Sequence, residues 1–213
     1  MSPASATLAS GFYGKVPWAG DFVQRRLPLD LVQAWDAYLG TLLPVLPTLA
    51  IGPCAAERPW AFLCAPRLCG ADAWAGVVTA SVDRVGRRFP LLIARPLVAD
   101  ALAGGLLTDG LPWFAAAIAV LADVRDGAIA CNEALEARVA ALPVADPDIT
   151  VPQPAQAATT LQIRRLAWQR CLAVGGSTWW RDPAAIPCQL PGLPAGEHCR
   201  QAFQDAGTGM ETA

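Results

Sequence analysis

Lys15 is the only lysine of the chain and His198 its only histidine, so chemistry that needs an ammonium or an imidazole has one address for each. Lys15 lies in GFYGKVPWAGDFVQRRLP, residues 11 to 28, among Gly11, Gly14 and Gly20 and ahead of Asp21, Arg25 and Arg26. Glycines beside a lysine are what a phosphate cradle requires, because backbone amides reach an anion most easily where no Cβ intervenes. The spacing is wrong for one: neither GxxxxGKS nor GxxxxGKT is present, and Pro17 follows too closely for a helix to begin directly after Lys15. A second polar cluster, SVDRVGRRFP at residues 81 to 90, gathers Ser81, Asp83, Arg84, Arg87 and Arg88 around Gly86. Guanidiniums this close in sequence can receive a phosphate or an acidic segment of a partner. The plainer reading is that Asp83 shapes the turn while the arginines are partly solvated. Asp21 and Asp83 are the carboxylates to weigh as an acid/base pair, and their arginine-rich flanks predict salt bridges to Arg25, Arg84 or Arg87 instead.

The remaining nucleophiles lack partners. His198 is followed by Cys199, and neighbours in a helix point to different faces, so the two are no dyad. GGSTWW at 175 to 180 has a serine after two glycines without the strand, turn and helix of a nucleophile elbow. Seven cysteines with no CxxC pair read as buried thiols of a reducing compartment. The best zinc fragment, Cys64 and Cys69 with His198 or Cys199, lacks the close-spaced ligand pairs of structural zinc sites. No catalytic residue, metal or cofactor is expected. Trp179 and Trp180 are adjacent, so in a strand they face opposite sides of the sheet, one in the core and the other free to anchor a partner.

The elements that must hold these residues follow from periodicity. A short strand is predicted over 12–16, then a glycine-punctuated loop, then a helix from Asp30 to Leu43 with Leu31, Trp35, Tyr38, Leu39 and Leu42 on one face and Pro44 as its stop. Trp60 to Ala65, Ala73 to Val82 and Phe89 to Arg95 read as strands, the last two joined as a hairpin through the turn at Gly86. Helices are predicted over 112–122 and 132–142, the second capped by Asn132. Leu161 to Val174 fits neither period, Ser177 to Trp180 reads as a short edge element, and Pro194 to Phe203 as a terminal helix. Residues 143–158, rich in proline, form a surface connection inside one domain spanning 11–205, with 1–10 and 206–213 as flexible ends. The class is α+β, a largely antiparallel sheet covered by helices.

Composition narrows the function. The chain is 54% hydrophobic and 16% charged, as befits a well-packed globule, and its net charge of −2 offers no field to draw in nucleic acid. The longest apolar run, Leu111 to Ala122, is well short of the ~20 residues a spanning helix needs, and the N-terminus has no secretory signal pattern. A cytoplasmic protein that does not span a membrane is expected.

Taken in order, GFYGKVPWAGDFVQRRLP with WDAYL, then WAGVVTASVDRVGRRFPLLIA, then STWW, resemble the TagF family of type VI secretion-associated proteins. The likeness runs from about residue 11 to 205, and GKxPxxGDFVxR combined with SVDxVGRxFPL is far more specific than either glycine pattern alone. Gly14, Lys15, Pro17, Gly20, Asp21, Phe22 and Arg25 match the first motif, Ser81, Asp83, Gly86, Arg87, Phe89 and Pro90 the second, and Trp179 and Trp180 the third. Ala80 stands where relatives often have proline, and Arg88 where they often have an aromatic residue.

The resemblance implies a cytoplasmic accessory protein of the bacterial type VI secretion apparatus. It implies post-translational repression of secretion, with an Fha-type scaffold as partner, and a fold with some likeness to longin or SNARE-like domains. Some relatives are fused to a PppA-type phosphatase domain, which this sequence does not contain, so phosphatase activity is not carried over. The partner surface expected is Gly14, Lys15, Gly20, Asp21, Arg25, Ser81, Asp83, Arg84, Gly86, Arg87, Trp179 and Trp180. The alternative is a phosphate- or phosphopeptide-binding sensor using Lys15, Arg84, Arg87 and Arg88. A hydrolase would need Asp21, Asp83, His198 or a cysteine to converge in one pocket.

Overall fold

The computed structural model describes residues 9–42, 59–97, 111–143, 155–181 and 187–194. In chain order the elements are β1 (Gly11–Gly14), β2 (Val23–Arg25), α1 (Leu29–Leu42), β3 (Trp60–Cys64), β4 (Ala73–Thr79), β5 (Leu91–Leu97), α2 (Leu111–Arg125), α3 (Asn132–Ala140), α4 (Ala155–Val174), β6 (Ser177–Trp180) and β7 (Cys188–Leu190). The strands form one sheet in the order β2-β1-β5-β4-β3-β6-β7, and every pairing is antiparallel. This is the α+β class expected.

Strand residues split between the two faces because successive side chains alternate. Phe12, Leu63, Ala75, Val77, Leu91, Ile93 and Trp180 face α2, α3 and α4, packing with Trp113, Phe114, Leu121, Leu135, Val139 and Trp168. Tyr13, Trp60, Phe62, Trp74, Leu92 and Trp179 face α1 and meet Leu31, Trp35 and Leu39. Helix α1 forms because Leu31, Trp35 and Leu39 recur at one-turn spacing. Its start is favoured by Asp30, whose Oδ1 accepts the Leu31 amide at 2.8 Å. Phe62 lies opposite Gly76 across the β3/β4 ladder, and a Cβ on Gly76 would come within 2.2 Å of the Phe62 ring. The glycine thus makes room for that ring, which packs in a three-ring cluster with Trp35 (5.2 Å) and Trp179 (4.8 Å), themselves 6.4 Å apart.

Several boundaries differ from expectation. The segment at 161–174 is helix α4, beginning at Ala155, so the predicted connection over 143–158 already contains helix at its end. Asn132 does not cap α3: Cys131 takes the N-cap position without a side-chain cap, and the Asn132 amide oxygen accepts the Trp18 indole N–H at 2.8 Å. Strand β6 is no edge, since β3 and β7 flank it. Arg95 is buried with its guanidinium 5.0 Å over Trp113, and desolvation pulls its pKa down to about 10. No helix among the described residues is long and apolar enough to cross a membrane. The predicted helix from Pro194 to Phe203 lies, beyond its first residue, outside the described residues.

Candidate functional site

The two glycine-containing motifs meet at one end of the sheet. β1 pairs with β5, so the chain leaving β1 at Gly14 runs beside Pro90 and Leu91 at the end of the second motif. Gly14 has φ +143°, and a Cβ there would fall 2.1 Å from the Pro90 carbonyl oxygen, so only glycine allows this approach. The turn directs Lys15 inward. Lys15 is 7% exposed and Asp83 only 2%, and Lys15 Nζ donates to Asp83 Oδ2 at 2.9 Å.

Asp83 is the hub. Its Oδ1 accepts the backbone N–H groups of Val85 (3.0 Å) and Arg87 (2.8 Å), and its Oδ2 also accepts Arg87 Nε at 2.7 Å. The Asp83 carbonyl accepts the Gly86 amide at 2.9 Å, closing a turn that Gly86 completes at φ +83°. Burial alone would raise the Asp83 pKa, but the donors from Lys15, Arg87 and Val85 outweigh it and hold the carboxyl well below the usual range. Two further bonds fasten the loops: Arg87 Nη2 donates to the Gly20 carbonyl at 2.6 Å, and the Arg84 amide to the Ala19 carbonyl at 2.9 Å. Ser81 contributes its carbonyl, which accepts the Phe89 amide at 3.1 Å.

An aromatic group closes the junction. Lys15 Nζ sits 5.1 Å from the Phe22 ring centroid, Phe22 stacks on Tyr13 at 5.6 Å, and Phe22 meets Phe89 edge-on at 4.5 Å. Tyr13 donates to Asp36 of α1 at 2.9 Å. Burial, then that bond and the Asp36 charge, push its phenol far up, so it remains a protonated donor. On the other side, Arg25 Nε pairs with Glu136 Oε2 at 3.3 Å and Arg26 Nη2 donates to the Glu136 carbonyl at 2.8 Å. The first motif is therefore held by the second motif, by α1 and by α3.

These contacts correct the expected surface. Lys15 and Asp83 do not face outward; they are its buried brace, and Lys15 is withdrawn from the proposed phosphate cradle. Asp21 is exposed, its Oδ1 accepting the Phe22 amide at 2.8 Å, and it forms no salt bridge with Arg25, Arg84 or Arg87. Trp179 and Trp180 are both buried, on opposite faces as the alternation requires, so neither anchors a partner. Ser177 accepts the Trp179 indole N–H at 2.8 Å, and Trp180 packs edge-on to Phe114 at 5.0 Å. β6 lies four strand spacings from β1, roughly 19 Å, so the third motif is not part of the junction. Asp21 and Asp83 do not form a carboxylate pair, and His198 and Cys199 lie outside the described residues.

Of the expected contacts, Gly14 is buried with Lys15, Asp83 and the two tryptophans, Gly20 and Ser81 are half-buried, and Asp21, Arg25, Arg84, Gly86 and Arg87 are exposed. Two apolar side chains join them: Phe22 is 41% exposed and Val85 67%. Phe22 stood in the motif but not among the expected contacts, and Val85 was missed altogether; an apolar residue between two arginines at a turn was the available signal.

Residues 11–142, which contain both motifs and helices α1 to α3, match the TagF N-terminal domain, type VI secretion system-associated. The chain belongs to this family. The crystal structure of PA0076 from Pseudomonas aeruginosa PAO1 is similar, with a TM-score of 0.70 at 32% sequence identity over 96% of this chain and 98% of that one. No curated protein matches. The motifs that mark this TagF domain are thus largely internal fastenings: in each, the most buried charged residue holds the other motif.

Proposed function

We propose that this TagF-family chain is a non-enzymatic regulator that represses type VI secretion post-translationally by binding a scaffold or apparatus component such as an Fha-type protein. The observation that carries this reading is the rigid junction. Buried Lys15 and Asp83 fix two adjoining loops, one exposing Arg84, Val85 and Arg87 and the other Phe22. A preorganised surface of arginine and apolar side chains suits protein recognition, since little ordering entropy is lost on binding.

Arg84→Glu and Val85→Asp alter that face without touching the Asp83 side chain, whereas Arg87→Ala also removes a brace. In titrations of a purified Fha-type scaffold, each of the first two variants is expected to bind at least about tenfold more weakly than wild type with an unchanged Tm. Wild-type affinity in both would reject the surface.

A further inference from the structure

The partner's own chemistry can be read from the same face, an inference that rests on the regulatory reading above. At the junction Lys15, Arg25, Arg26, Arg84 and Arg87 stand against Asp21, Asp36, Asp83 and Glu136, an excess of one positive charge in a chain whose net charge is −2. Asp83 is already satisfied by Lys15, Arg87 and two amides, and it offers no attraction to an incoming cation. Arg84 forms no ion pair among the described residues, and its guanidinium lies beside Gly20, whose missing side chain leaves that side open. Arg87 spends Nε and Nη2 on its braces yet leaves much of its side chain in solvent.

We propose that the junction recognises an acidic protein segment bearing an apolar side chain. Carboxylates of the segment meet Arg84 and the outer edge of Arg87, and the apolar side chain packs on Val85 and Phe22. Charge complementarity selects the segment, and the exposed valine and phenylalanine give the desolvated contact that charge alone does not supply in water. A free phosphate is the weaker fit, because the lysine that would complete its cradle is committed to Asp83.

Fluorescence anisotropy with the full chain and three labelled peptides of about 12 residues tests this. The first alternates glutamate with leucine, the second has lysine for each glutamate, and the third has serine for each leucine. The glutamate–leucine peptide is expected to bind, the lysine peptide not to, and the serine peptide to bind at least about fivefold more weakly. Arg84→Glu and Val85→Asp are each expected to weaken the first peptide by about fivefold or more, while Arg125→Glu, on α2, leaves it unchanged. Absence of binding, equal binding of the lysine peptide, or indifference to both junction variants would overturn the proposal. If the peptides fail while Arg84→Glu still abolishes scaffold capture, the acidic chemistry is wrong and the regulatory reading stands. If Arg84-dependent peptide binding is found but the variants capture scaffold normally, the peptide chemistry stands and the regulatory reading falls.

Discussion

A buried carboxylate stabilises a fold only while its donors are complete, and Asp83 has four of them. Removing one leaves the others around an under-compensated charge, so Lys15→Met is expected to lower Tm by about 5–15 °C although no partner-facing atom is lost. A change below about 2 °C would mean that Lys15 is not part of the brace. The depressed pKa of Asp83 also fixes a sign. Its folded value lies below the unfolded carboxylate value near ~3.9, so the stabilisation is present above about pH 4 and is lost as pH falls through the folded value. Asp83→Asn should therefore be less stable at pH 7 and lose less further stability than wild type between about pH 4 and pH 2. Parallel acid profiles would contradict the ion pair.

At the scale of elements, the sheet depends on a glycine whose role is steric. The Phe62 ring occupies the place of a Cβ at Gly76, so Gly76→Ala is expected to destabilise by about 1–3 kcal/mol. Phe62→Leu in the same chain should recover part of that loss; strictly additive effects would show that the two do not share space. Such pairings explain what the sequence could and could not disclose. Helix α1 was legible because Leu31, Trp35 and Leu39 all point to one core, and β3 to β5 because apolar runs flank a polar turn. Helix α4 was not, because Trp168 and Cys171 face the sheet while Ile163, Leu166 and Val174 are exposed, which blurs the period. β2 and β7 have three residues each, too few to show alternation, and they exist because β1 and β6 present open edges to them. Asn132 had the right type for a cap and is instead used by Trp18, a long-range contact invisible in local sequence. In the site, motif residues were identifiable but their direction was not. Lys15 turns inward because of the backbone at Gly14, and the burial of Trp180 depends on helices contributed by distant segments.

At the scale of the molecule, α1 covers one face of the sheet and α2, α3 and α4 the other, leaving the loops at the ends of β1 and β5 as the place where the first two motifs emerge together. The family's motif residues thus divide into those that make the junction rigid and those that it displays. Secretion itself separates the two groups. The measurement is release of a type VI effector into the medium from cells expressing wild type, Arg84→Glu with Val85→Asp, or the Arg125→Glu control, at matched protein levels. Wild type and the control are expected to suppress release by at least about tenfold relative to cells without the protein, and the junction double variant to restore most of it while remaining folded. Full suppression by the folded double variant would contradict that division.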